Sequence, residues 1–352
     1  MKKTHVSGIL AMLLCCTMLM SGCGKTDVPP QTTDPAQAGN ELSGAAAIKP
    51  EGYPKGGTVT VVCGYNAGGA QDNNCRVAAQ YASVLSGDNY VVTNIAGSGG
   101  RVAAADVTAS KADGLKIYLA NLTLADPEDY QYVDKETLES MMAMNMLVAE
   151  QFDVICAMHD DARSITIQAN DPRFSNWEEF SDYALAHPGE LTIGTSGATN
   201  ASGLMYTLLT QKLGYDFNVV HYTSTSEVHA ALLGGHIDAE MSVVSATNTD
   251  GDVAKTIIVA SEERNVLFPD VPTFKELGVE LNIPTTRCFF VKKGTDEAIV
   301  NYLSALFGEM AEYEPYVEDN HNIYVTTVDY KDHETAKKLI DDTYAACMEL
   351  LK

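Results

Sequence analysis

Residues 58–85 read TVTVVCGYNAGGAQDNNCRVAAQYASVL, and the changes of pattern inside them decide the fold. The first six, TVTVVC, are short, β-branched and mostly apolar, as a buried strand requires. A turn follows, carrying Tyr65, Asn66, Ala67, Gly68 and Gly69. Beyond it Cys75, Ala78, Ala79, Ala82 and Leu85 fall on one face of a helix. A buried strand that runs through a glycine turn into a helix belongs to an α/β fold.

Working outward, the alternation recurs. Strand patterns at 90–93 and 115–120 flank a helix over 102–110, opened by Gly97-Ser98-Gly99-Gly100. Residues 121–150 hold a loop with Pro127 and then a Met-rich helical stretch around 138–147. Its Met141, Met142, Met144 and Met146 are read as packing residues. A strand at 154–158 comes next. Ser175-Asn176-Trp177-Glu178 has the spacing of a capping box, and Pro188-Gly189 stops the helix it opens. Strands at 191–194 and 217–222 flank a helix over 199–213. A second capping box, Ser224-Thr225-Ser226-Glu227, opens a helix ending at Gly234-Gly235. Strands at 237–241, 256–260 and 289–291 follow, and two helices, from Ile299 and from Leu339, close the chain. The order predicts an α/β fold with largely parallel sheets.

The N-terminus reads as a leader. Lys2 and Lys3 precede an apolar run over 9–20, which suits a signal peptide and is too short to span a bilayer. Ser21-Gly22-Cys23 follows, so residues 1–22 are read as a lipoprotein signal peptide and Cys23 as the lipidated residue. An ordinary secretory signal cut nearby is the alternative. Residues 23–52 carry Pro29, Pro30, Pro35, Gly39, Gly44 and Pro50 without apolar periodicity, and read as a flexible tether. About 300 residues remain, comfortable for two lobes.

The charge excludes one function class. Lys and Arg number 23 against 47 Asp and Glu, a formal net charge of -24. Nucleic acid is not an expected partner, because phosphate neutralisation needs clustered cations. An anionic solute would be repelled globally, so local donors must supply the attraction. Of the eight cysteines, Cys63, Cys75, Cys156, Cys288 and Cys347 lie beyond the leader. Their odd number and irregular spacing read as buried thiols, with a Cys63–Cys75 bridge left open. No ligand spacing suggests a metal, and no cofactor is expected.

Two strand-to-helix loops stand out for chemistry. One is 65–72, with Asp72 at its helical end; the other is Gly194-Thr195-Ser196-Gly197-Ala198-Thr199-Asn200. In parallel sheets, ligands bind beyond the carboxyl ends of strands, where glycines admit backbone amides and a helix N-terminus favours an anion. One loop in each lobe would hold a carboxylate. Asp72 is read chiefly as a helix cap or a clasp on the loop. Ser196 is not set in a nucleophile elbow, since Ala198 stands where G-x-S-x-G needs glycine. Catalysis is therefore not expected, although an exported hydrolase stays open as an alternative.

These motifs, in this order, resemble the Bug family, the solute-binding receptors of tripartite tricarboxylate transporters. The likeness runs over about 53–294. It rests on Tyr53-Pro54, on Ala67-Gly68-Gly69-x-x-Asp72-x-x-x-Arg76, and on Tyr90-Val91-Val92-x-Asn94-x-x-Gly97-x-Gly99-Gly100. It continues through Ala112-Asp113-Gly114, His187-Pro188-Gly189-x-Leu191-x-x-Gly194-x-Ser196-Gly197, Leu232-Leu233-Gly234-Gly235-x-Ile237-Asp238 and Phe268-Pro269-Asp270-Val271-Pro272-Thr273. The resemblance implies a two-lobed Venus-flytrap fold of the periplasmic-binding-protein type, acting as a monomer. Lobe one would be 53–157 plus 287–352 and lobe two 158–286, hinged at 157–162 and 285–288. It implies capture of a small carboxylate by Tyr65, Asn66, Ala67, Gly68, Gly69, Asp72, Thr195, Ser196, Gly197, Ala198, Thr199 and Tyr222. Membrane permease subunits would be the partners, on the extracytoplasmic face of the cell membrane. A receptor serving a membrane sensor kinase is the other reading. Thr223 and Ser224 follow Tyr222 where the family usually has lysine and glycine, and the strand end Val62-Cys63-Gly64-Tyr65 departs from the usual proline-aromatic pair.

Overall fold

The computed structural model describes residues 44–246, 252–266, 268–323 and 326–352. Cys23, the leader and the tether up to residue 43 lie outside the described residues; the reading of a tether as far as 52 is corrected, because Gly44–Ile48 is a short helix whose buried Ala45 donates its N–H to Glu309 Oε1 at 2.6 Å. In chain order the elements are α1 (Gly44–Ile48), β1 (Thr58–Cys63), α2 (Ala70–Ser86), β2 (Asn89–Asn94), α3 (Arg101–Ala109), β3 (Lys116–Thr123) and α4 (Lys135–Gln151). Then come β4 (Phe152–Gln168), α5 (Trp177–Ala186), β5 (Thr192–Thr195), α6 (Ala201–Thr207), β6 (Asn218–His221), α7 (Thr225–Leu233) and β7 (Ala239–Val243). The chain continues with β8 (Ala254–Ala260), β9 (Pro284–Lys292), α8 (Glu297–Glu312), α9 (Glu314–Asn322), β10 (Val328–Lys331) and α10 (His333–Leu350).

The strands lie in the order β2-β1-β3-β9-β4-β7-β5-β6, with β8 and β10 also on β4. Parallel pairing occupies the outer positions: β1 with β2 and β3, and β5 with β6 and β7. The pairings of β4 and β9 are antiparallel. β4 changes partners midway. Its stretch from Phe152 to Ala162 pairs with β9, whereas from Arg163 onward it pairs with β7 and β8. One continuous strand thus belongs to both halves of the sheet.

The halves are packed by different cores, and the second half's core also takes in Leu138, Met141 and Met142 of α4 and Cys347 of α10. In one, Val59, Val61, Ala78, Ile117, Phe289 and Phe307 pack α2 and α8 on one sheet face, while Val107, Tyr118 and Ile340 pack α3 and α10 on the other. In the second half, Ile165, Phe180, Ile193, Leu204 and Met241 bring α5 and α6 onto the sheet. Each such side chain contributes about 1.5–3 kcal/mol when removed from water. Met141 and Met142 are buried here, and Met144 and Met146 pack against the cores. The five cysteines are buried and free, so Cys63 and Cys75 are not bridged.

Several local readings shift. The cap of α5 is Asn176, whose side chain accepts from Glu179 N at 3.0 Å. Glu179 Oε2 returns to Ser175 N and Oγ at 2.7 and 2.9 Å. The box lies one residue later than its spacing suggested, because Glu179 can engage both donors of Ser175 at once. The second box forms as read: Ser224 Oγ accepts from Glu227 N, and Glu227 accepts from Thr223 N and Oγ1. The helix expected over 199–213 splits into α6 and a π turn over Leu208–Lys212. α9 and β10 carried no signal that periodicity detected.

Candidate ligand-binding site

The first loop leaves β1 at its carboxyl end and enters α2 at Ala70. Its cap, Gly69, supplies no side-chain acceptor. Two side chains of α2 fix it instead. Gln71 Nε2 donates to Leu119 O at 3.2 Å and Asn121 Oδ1 at 3.1 Å, and its Oε1 accepts from Gly64 N at 3.1 Å. Asp72 is buried and accepts from Gly68 N (2.8 Å), Arg76 Nε (2.9 Å) and Asn94 Nδ2 (2.8 Å). Burial pushes its carboxyl up, but the hydrogen bonds from Arg76, Gly68 and Asn94 outweigh it and hold the group below its ordinary value. Asn94 also donates to Tyr65 O at 3.0 Å. Asp72 therefore acts as the clasp of the loop. Tyr65, Asn66, Ala67 and Gly68 are left exposed.

The second loop leaves β5 at Thr195, whose Oγ1 lies 2.6 Å from His221 Nδ1. Tyr222 N donates to Thr195 O at 2.8 Å, seating Tyr222 beside the strand end. Gly197 has φ +148°, and a Cβ there would lie 2.8 Å from Asn200 Nδ2. Asn200 caps α6 by accepting from Ser202 N and Gly203 N at 2.9 and 3.3 Å. It also donates to Ser196 O at 3.1 Å. The expectation that the first amides of this helix would be open to a ligand is thus corrected: Asn200 already engages two of them. Ala198 and Thr199 stay exposed. Ser196 Oγ lies 3.1 Å from Ser202 Oγ. Of the histidines in this half, His221 engages Thr195 and His229 Nδ1 lies 3.2 Å from Glu240.

Between the loops, β4 and β9 carry two buried arginines that sequence reasoning missed. Arg163 Nη1 donates to Ser202 Oγ at 2.8 Å and its Nη2 to Thr285 Oγ1. Arg287 Nη2 pairs with Asp161 Oδ2 at 2.6 Å, and that carboxylate also accepts from Ser245 Oγ. Among the described residues, Nε of both arginines and Nη1 of Arg287 have no hydrogen-bond partner. Burial pulls the Arg163 guanidinium down to about 10, against the attraction of Asp161. Tyr65 connects the first loop to this region. Although the residue as a whole is exposed, its hydroxyl end is enclosed, which pushes the hydroxyl up, and the charges of Arg163, Arg101 and Arg287 oppose that rise. Arg287 also faces Asn121 in register, next to the anchor of Gln71. The only sequence signal for these residues was charge inside otherwise apolar runs.

Two glycine loops at the carboxyl ends of parallel strands, in sheet halves joined by a shared strand, are the architecture of a periplasmic solute-binding protein. The chain belongs to the TctC family, the tripartite tricarboxylate transporter family receptor, which matches residues 75–352. A UPF0065 protein in the gbd 5' region of Cupriavidus necator is 30% identical over 291 residues, covering 80% of this chain and 84% of the relative. A TctC solute-binding protein from Polaromonas superposes with a TM-score of 0.64 at 26% identity, covering 85% of this chain and 99% of that one. MatC from Rhodopseudomonas palustris with bound malate superposes at 0.65 with 21% identity, covering 84% and 99%.

Proposed function

We propose that this chain captures a small di- or tricarboxylate between two lobes and hands it to the integral membrane permease subunits of a tripartite tricarboxylate transporter. The observation that carries the reading is the pair of glycine loops flanking buried arginines, in a chain of the TctC family. Malate in the similarly folded MatC supports a carboxylate ligand. The contacts proposed are Tyr65 to Gly69 of the first loop, Thr195 to Thr199 of the second, and Tyr222. Asp72 contributes by holding the first loop.

The lobes are 53–157 plus 287–352 and 158–286, hinged at 157–162 and 285–288, where β4 and β9 run alongside each other. The ligand closes them because it contacts both loops only in the closed state, and differential affinity is what shifts such an equilibrium. The protein is exported, lipidated on Cys23 and held as a monomer at the outer face of the cell membrane. Hydrolysis is disfavoured because the hydroxyl partner of Ser196 is Ser202 rather than a base. Two experiments test the reading. Equilibrium dialysis of the chain with labelled malate and citrate should give saturable binding. Cys23→Ser should move the protein from the membrane fraction to the soluble one, and its retention with membranes would remove the lipid anchor.

A further inference from the structure

Among the described residues, the hydrogen-bond partners of the buried Arg163 guanidinium are two hydroxyls. Arg287 beside it has an ion pair; Arg163, at 5% exposure, has Ser202 Oγ, Thr285 Oγ1 and a Nε without a partner among the described residues. The nearby acids are otherwise engaged. Asp161 bonds Arg287 and Ser245, and Asp160 lies 3.0 Å from Lys331. His159 on the same strand is buried and bonded to Tyr316 at 3.1 Å. Two guanidinium groups therefore face the single carboxylate of Asp161 here, a local surplus of positive charge in a chain of net charge -24. A buried charge without a compensating partner is strongly unfavourable. An anion arriving between the loops would remove that penalty.

The hydrogen bonds give the charge a route to the ligand. Arginine can only donate, so Ser202 Oγ accepts from it at 2.8 Å. The hydroxyl proton of Ser202 is then available to Ser196 Oγ, 3.1 Å away. With Ser202 as the donor in that pair, the proton of Ser196, in the half-buried part of the second loop, is left to point outward. Hydrogen bonds in series polarise one another, most of all when the first donor is charged.

We propose that Arg163, acting through the directed chain Arg163–Ser202–Ser196, is the residue by which this receptor distinguishes a carboxylate from its neutral isostere. The inference rests on the carboxylate-receptor reading and adds the determinant of ligand charge. It also gives the second loop a donor for an anion in place of the helix amides that Asn200 already engages.

The test is isothermal titration calorimetry of the intact chain with malate, adipate and citrate, each beside its amide. The acid-to-amide affinity ratio is the readout, because a merely structural role would leave it unchanged. The parent should favour the acid. Arg163→Met should bind the preferred acid about ten- to hundredfold more weakly, with the ratio falling toward one. Arg163→Lys should recover part of it. Ser196→Ala, which keeps the buried charge and its other bonds, should lose about tenfold at an unchanged Tm, and it carries the test if Arg163→Met does not fold. A parent that binds the acid while Arg163→Met or Ser196→Ala keeps its affinity and ratio overturns the inference and leaves the receptor reading intact. A parent that binds no acid, or prefers the amide, overturns both.

Discussion

Gly203 offers a substitution whose sign is diagnostic. It lies in the first turn of α6, where a Cβ would stand 1.9 Å from the carbonyl oxygen of Ala198 and 2.4 Å from its carbon. These are backbone atoms of the second loop, so no rotamer relieves the overlap. In an ordinary helix, glycine to alanine gains about 1 kcal/mol. Here helix and loop must part by more than an ångström, and overpacking of that kind costs about 3 kcal/mol. Gly203→Ala should therefore lose about 2 kcal/mol net, a fall in Tm of about 3 °C for about 300 folded residues. The variant still folds, because total stability is about 5–15 kcal/mol. The same shift displaces the amides of Gly197 to Thr199 and should weaken carboxylate binding about tenfold or more. Urea unfolding and calorimetric titration on one preparation measure both effects. A variant that melts at or above the parent and binds with parental affinity would refute both the packing and the role of the loop.

Other sites give sharper single readouts. Gly197→Ala forces a side chain into φ +148° and against the Asn200 cap; an expected loss of about 1–3 kcal/mol and weaker binding are checked by the same two assays. Asp72→Asn removes the charged acceptor of Gly68 N–H, and the first loop should loosen by about 1–2 kcal/mol, seen as faster hydrogen exchange at Gly68. Because Asp72 is held below its ordinary value in the fold, its contribution is fully present above 3.8 and is lost as pH falls through the lower folded value. His159 is held at about 3 by burial and, secondarily, by Arg287. Its contribution is present above about 6.5 and is lost as pH falls toward 3, at up to about 1.4 kcal/mol per pH unit. His159→Gln should flatten the stability profile between pH 6.5 and 5; equal slopes in parent and variant would exclude the histidine.

What the sequence disclosed was what local chemistry controls. TVTVVC has β-branched side chains suited to a strand, and it becomes the centre of a parallel trio. Ser224 and Glu227 sit at capping distance and cap. β4 was legible only over 154–158, because His159, Asp160, Asp161 and Arg163 interrupt its apolar run. Those groups are accommodated by Tyr316, Lys331, Arg287, Thr285 and Ser202, which stand far away in the chain, so no period reports them. α9 escaped notice because its buried residues are Tyr316 and Asn320 within a polar stretch, and β10 because its four residues, VDYK, alternate too briefly. At the site, the glycine turns announced both loops. The arginines between them depend on β4 and β9 lying side by side, a long-range pairing that the local patterns around 163 and 287 do not specify.

The central claim, a receptor for small carboxylates, is tested most directly by a thermal-shift titration of the intact chain against mono-, di- and tricarboxylates, amino acids and neutral solutes. A ligand that binds only the folded state raises Tm by linkage, by about 2.7 kcal/mol of stabilisation at a hundred times its Kd. A saturable rise is expected with one subclass of carboxylate and none with neutral solutes. A rise with a neutral solute alone would contradict it, leaving the fold in place and removing the anion from the site.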